Sequence, residues 1–163
     1  SAGRTMAADD GPRIGFLDMS GFDTHRRQRG VDGQLAGQLA LVDALVGTLK
    51  EALGPVWGDT VVVLATEFGR TVRFNGSEGT DHGSATVALL VGGRVAGGRV
   101  VADWPGLSER DLFDRRDLMP TTDLRAVLKG VLADHLGAGP RLLSARVFPE
   151  TADVAPLAGL VRT

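Results

Sequence analysis

Asp23 and His25, Glu67, and Asp81 and His82 are the residues of this chain whose types and spacing can do chemistry. Carboxylate oxygens and imidazole nitrogens are ligands for Zn²⁺, Mn²⁺ and similar divalent ions. Asp23 and His25 are two positions apart, so on an extended segment they face the same side. Asp81 and His82 are adjacent and diverge on such a segment, which puts one of them behind the other. A carboxylate behind a metal-bound imidazole orients the ring. The alternative is that Asp23 and Asp81 stabilise turns and that both histidines are surface residues. The chain has only three histidines, and two of them fall in these two loops. That coincidence favours a shared site. His135, the third, reads as a helix-terminal residue. Arg70 follows Glu67 and is a candidate to bind an anionic substrate, with a salt bridge to Glu67 or Glu78 as the alternative. Ser20, Thr24, Thr66, Thr71, Thr80 and Ser84 supply hydroxyls near the same loops, none in a context that marks a nucleophile.

These residues need elements to hold them. Residues 13–18, RIGFLD, read as a short strand ending just before Asp23, after a loose tail over 1–12. Asp32 opens a predicted helix to about Leu53, with Leu35, Leu39, Val42, Val46, Leu49 and Leu53 on one stripe, stopped by Gly54-Pro55. Residues 60–66, TVVVLAT, are β-branched and apolar throughout, the pattern of a central strand, and Glu67 lies just past them. A glycine-rich loop over 67–84 carries Asp81 and His82. Further strands are predicted at 85–91 and around Arg99–Ala102. A second helix is capped by Thr122 and ended by Gly137, and the last 25 residues read as mostly irregular.

Strand, helix, strand is a βαβ unit, with parallel strands and a right-handed crossover. The expected fold class is therefore α/β, a mainly parallel sheet flanked by helices. Ligands in such sheets gather beyond the carboxyl ends of the strands. Asp23, His25 and Glu67 sit just past such ends, and Asp81 and His82 close the following loop.

Composition narrows the function classes. A chain of 163 residues supports one domain with a sizeable core, expected over 13–150 with an extension over 151–163. A formal net charge of −2 argues against nucleic-acid binding, and Arg26, Arg27 and Arg29 form only a short basic cluster. No apolar run approaches the roughly 20 residues needed to cross a bilayer. There is no cysteine, which excludes disulfides, zinc–thiolate sites and thiol nucleophiles.

The strings GFDTH, GDTVVVLATEFGRT, GTDHG, LLVGGRVAGGRV, TTDLRAVL and VFPE occur in this order over residues 13–150. Together they resemble a bacterial family, domain of unknown function fifteen-oh-one, grouped with the alkaline phosphatase and sulfatase superfamily. The resemblance implies an α/β/α fold and a metal-dependent hydrolase of phosphate or sulfate esters. It implies that Asp23, His25, Glu67 and His82 stand at metal-ligand positions, with zinc as the expected ion. It also implies an exported protein. Phe68 departs from the pattern, because it stands where a paired histidine would be. The superfamily's Ser or Thr nucleophile belongs to an N-terminal half that this chain is expected to lack. The expectation is thus a C-terminal portion carrying part of an active site, with an exposed sheet edge able to self-associate. The alternative is a non-catalytic binding or scaffold domain that retains the fold.

Overall fold

The computed structural model describes residues 2–162. Helix α1 (Ala2–Met6) packs on helix α2 (Gln34–Leu53), where Gly3 lies against Ala52 and Leu49. The segment expected as a loose tail therefore contributes a short helix. The predicted stripe does form α2, which starts two residues after Asp32 and is capped by Gly33 without a side-chain hydrogen bond. Gly54 closes it with positive φ. A six-residue 3₁₀ helix (Gly54–Asp59) leads into β1 (Val62–Leu64).

β1 pairs antiparallel with β4 (Leu89–Val91), matching Val62 to Val91 and Leu64 to Leu89. β2 (Gly69–Arg70) pairs antiparallel with β3 (His82–Gly83). The described residues thus hold two short antiparallel ladders rather than the βαβ unit expected around α2. The physical reason lies in 13–18. Among the described residues no segment pairs with their backbone as a strand, and Phe16 is 90% exposed. A strand around Arg99–Ala102 is likewise absent.

Helix α3 (Leu124–Leu136) begins at Asp123, one residue beyond the expected Thr122, because the Asp123 carboxylate accepts from Arg125 N at 2.8 Å. Gly137 ends it in the left-handed conformation that a residue without Cβ adopts freely. Val127 and Val131 of α3 pack with Leu160 and Val161, and Val61, Val63 and Leu90 close this core from the β1–β4 side. The C-terminal segment, expected as an extension, is thereby part of the core. Val161 bridges Val95, and Ala96 N donates to Leu160 O at 2.9 Å. A short helix α4 (Pro140–Leu142) runs into a π-helical turn (Leu143–Val147), where irregular chain was expected. Lys129 of α3, 1% exposed, donates to Thr151 O at 2.5 Å and Val154 O at 2.9 Å, which ties the tail to the helix.

Candidate metal centre

The β2–β3 ladder is the scaffold of the site. It sets Arg70 opposite His82 and Gly69 opposite Gly83. A Cβ on Gly83 would come within 2.7 Å of the Arg70 carbonyl carbon, so the ladder closes this tightly only because residue 83 is glycine. Thr71 N continues the ladder to Asp81 O at 2.9 Å, and Thr71 bridges Asp117. Buried Asp117 accepts from Ser84 N at 2.9 Å and Ser84 Oγ at 3.0 Å, fixing the chain just after His82.

Asp23 and His25 arrive from a loop pinned by buried threonines. Thr24 Oγ1 and Thr80 Oγ1 both donate to Gln28 Oε1, at 2.8 and 2.6 Å. Thr80 N donates to Thr24 O at 3.1 Å. This packing carries the 23–25 loop across to the 80–82 loop.

Three side chains then converge. Asp23 Oδ1 lies 3.0 Å from His25 Nε2 and 2.9 Å from His82 Nε2, and the two Nε2 atoms are 3.2 Å apart. The edge of a coordination tetrahedron with 2.0–2.1 Å bonds is about 3.3 Å. The triangle is therefore a slightly compressed face of such a tetrahedron, and a divalent ion fits the donor set. Two imidazole nitrogens this close cannot both present lone pairs to each other; a shared cation satisfies both. The three side chains are about half exposed, which leaves the fourth position open to solvent.

The remaining predicted residues sort themselves around this triangle. Asp81 is not part of it. Its Oδ1 lies 3.2 Å from His25 Nδ1 and accepts from Asn75 Nδ2 at 3.0 Å. An ionised carboxylate only accepts, so Asp81 can hold a proton on His25 Nδ1, the arrangement that leaves the Nε2 lone pair for an ion shared with Asp23 and His82. Glu67 is exposed, and its carboxylate joins no hydrogen bond or ion pair among the described residues. Arg70 points inward. Its Nη1 donates to Asp23 Oδ1, its Nη2 to Thr80 O and its Nε to Thr80 Oγ1 at 3.0 Å.

Electrostatics follow these contacts. The Arg70 guanidinium, then the His82 hydrogen bond, hold the Asp23 carboxyl below its ordinary value. Asn75, then His25, do the same for Asp81. Both carboxylates are therefore ionised at neutral pH. Among the candidate hydroxyls, Thr24 and Thr80 serve Gln28, Thr71 donates to Arg73 O, Thr66 donates to Phe68 O and Ser84 serves Asp117.

Two contributors have no motif signal of their own. Phe68, notable in the sequence only as a departure from the family pattern, stacks on the His82 ring with centroids 4.0 Å apart and planes at 27°. Asn75, inside the glycine-rich 67–84 loop, holds Asp81.

No curated protein and no solved structure matches the chain. Residues 2–147 match a family described as "Protein of unknown function (DUF1501)". With the match covering most of its length, the chain belongs to the DUF1501 family.

Proposed function

We propose that this chain contributes the Asp23–His25–His82 face of a divalent-metal site, with zinc the expected ion, in a hydrolase of phosphate or sulfate esters. The observation that carries the reading is the triangle of one carboxylate oxygen and two imidazole nitrogens with edges of 2.9, 3.0 and 3.2 Å. A divalent ion held there supplies Lewis-acid stabilisation of ester oxygens. His25 and His82 hold it through Nε2, Asp81 keeps the His25 ring in the required tautomer, and Asp23 offsets one positive charge. Arg70 spends its nitrogens on Asp23 and Thr80, so it favours an anionic ester through its charge rather than through a free guanidinium fork. Two-metal ester hydrolases need more ligands than three, and Glu67 is an exposed carboxylate two residues before this ladder, in no ion pair among the described residues. The reading includes an α/β/α, alkaline-phosphatase-like sheet completed by further strands, and an exported location. The apolar β1 strand, paired on one edge among the described residues, supports the former, and that free edge is where self-association would occur. The motif resemblance supports both.

A second reading, a non-catalytic binding domain, draws on the engaged hydroxyls. Thr24, Thr66, Thr71, Thr80 and Ser84 all serve structural hydrogen bonds. One experiment separates the two: metal analysis of the purified protein, with p-nitrophenyl phosphate and p-nitrophenyl sulfate assays before and after zinc loading. Turnover that disappears in His25→Ala and His82→Ala supports the hydrolase. Stoichiometric zinc without turnover supports the binding domain. Protein that holds no metal, with every activity unchanged in the double variant, sinks the metal site.

A further inference from the structure

Asn75 uses its whole hydrogen-bonding capacity. Its Oδ1 accepts from Ser77 N at 2.9 Å and Gly79 N at 3.1 Å, and its Nδ2 donates to His25 O and Asp81 Oδ1, both at 3.0 Å. A primary amide offers two donor hydrogens and two acceptor lone pairs, so nothing is left over. The four partners also fix which end of the amide is oxygen, because turning it over would break all four bonds.

The two ends of this amide do different work. The oxygen builds the 75–79 turn. The nitrogen grips the metal centre twice, once by the His25 main chain and once by the carboxylate that orients the His25 ring. The turn itself is pressed onto the same residue. A Cβ on Gly79 would overlap the His25 carbonyl group, so the contact requires glycine. Around it, Arg27 N donates to Ser77 O at 3.0 Å, Arg29 N to Glu78 O at 3.4 Å and Thr80 N to Thr24 O at 3.1 Å. Arg27, Arg29 and Glu78 hold positive φ, a conformation unfavourable for residues with a Cβ. Such conformations persist where surrounding contacts over-determine them.

We infer that Asn75 is the positioning residue of the metal centre: through Asp81 and the His25 main chain it fixes the ring orientation of His25. The inference rests on the metal-site reading for its consequence, and on the hydrogen bonds alone for its geometry.

Asn75→Asp is the discriminating variant. It keeps an acceptor oxygen for Ser77 and Gly79, so the turn survives, but it replaces the two donors with a carboxylate oxygen facing Asp81 Oδ1 and His25 O. Asn75→Ala removes the donors and the turn's acceptor oxygen together, without adding charge. Two quantities are read: zinc affinity by isothermal titration, and the ¹⁵N shifts of His25 in metal-free protein, with far-UV circular dichroism to confirm folding. Both variants are expected to bind zinc about 10–100-fold more weakly, the usual effect of removing support behind a ligand. The His25 shifts are expected to move, because Asp81 is no longer held against Nδ1 while Asp23 still faces Nε2 at 3.0 Å. Zinc affinity within about twofold of wild type, with unchanged His25 shifts, overturns the inference while leaving the metal site standing. If wild type binds no zinc yet the His25 shifts move in both variants, the positioning role holds and the metal reading fails.

Discussion

Arg70 and His82 are cross-strand partners, and both reach the same atom, Oδ1 of Asp23. One carboxylate oxygen thus receives a guanidinium and an imidazole, and lies 3.0 Å from a second imidazole nitrogen. Loss of any corner should break the metal face. His25→Ala and His82→Ala are expected to abolish stoichiometric zinc binding, and Asp23→Asn to weaken it at least tenfold, by titration calorimetry. Full-affinity binding in the His25→Ala, His82→Ala double variant would place the ion elsewhere.

Acid should weaken the fold through the same carboxylates. Asp81 sits below its ordinary value of 3.8, held there by Asn75 and then His25. A depressed folded-state value means that the contribution is present above the unfolded value and is lost as pH falls through the folded one. Urea midpoints measured downward from about pH 5 should therefore drop below about pH 4, and Asp81→Asn should flatten that limb. The group is exposed, so added salt should shrink the difference. Identical acid limbs in variant and wild type would remove Asp81 from the account.

Phe68 supports one face of the His82 ring. Such aromatic pairs contribute about 0.5–1.5 kcal/mol beyond buried area, which corresponds to a factor of about 2–12 in an equilibrium constant. Phe68→Ala should weaken zinc binding by about that factor, and Phe68→Leu by less. A variant that binds more tightly would show that the ring hinders the site.

Lys129 is buried without a carboxylate in ion-pair reach among the described residues. Lys129→Met leaves the Thr151 and Val154 carbonyls without their donor, at about 1–3 kcal/mol for each unsatisfied buried group. Urea unfolding should show a total loss of about 2–6 kcal/mol. A loss under about 0.5 kcal/mol would mean that the tail is held by Leu160 and Val161 alone.

The sequence makes some of this legible and hides the rest for identifiable reasons. The stripe of α2 is visible because a helix satisfies its own backbone, so local periodicity is nearly sufficient. The 13–18 segment has a strand's composition but forms none, because a strand needs a partner and the pattern does not say whether one is present. Asp23, His25 and His82 stand out by residue type and do come together. Asp81 takes the outer place that its adjacency to His82 implied for one of the pair, though the ring it supports is His25. Glu67 shares the same chemistry and strand-end placement, yet spacing alone cannot show that its carboxylate joins no contact among the described residues. Asn75 and Phe68 are invisible as site residues because their roles are contacts between loops about 50 residues apart or across a ring face.

The hydrogen bonds between 24–29 and 75–80 have a kinetic consequence. These loops lie apart from the Val127–Val131–Leu160–Val161 core, so they can open as a small cooperative unit while the core stays closed. The lifetime of a bound ion would then be set by how often this pair of loops breathes. Amide exchange at Arg27 and Thr80, both donors in the seam, would report that opening directly.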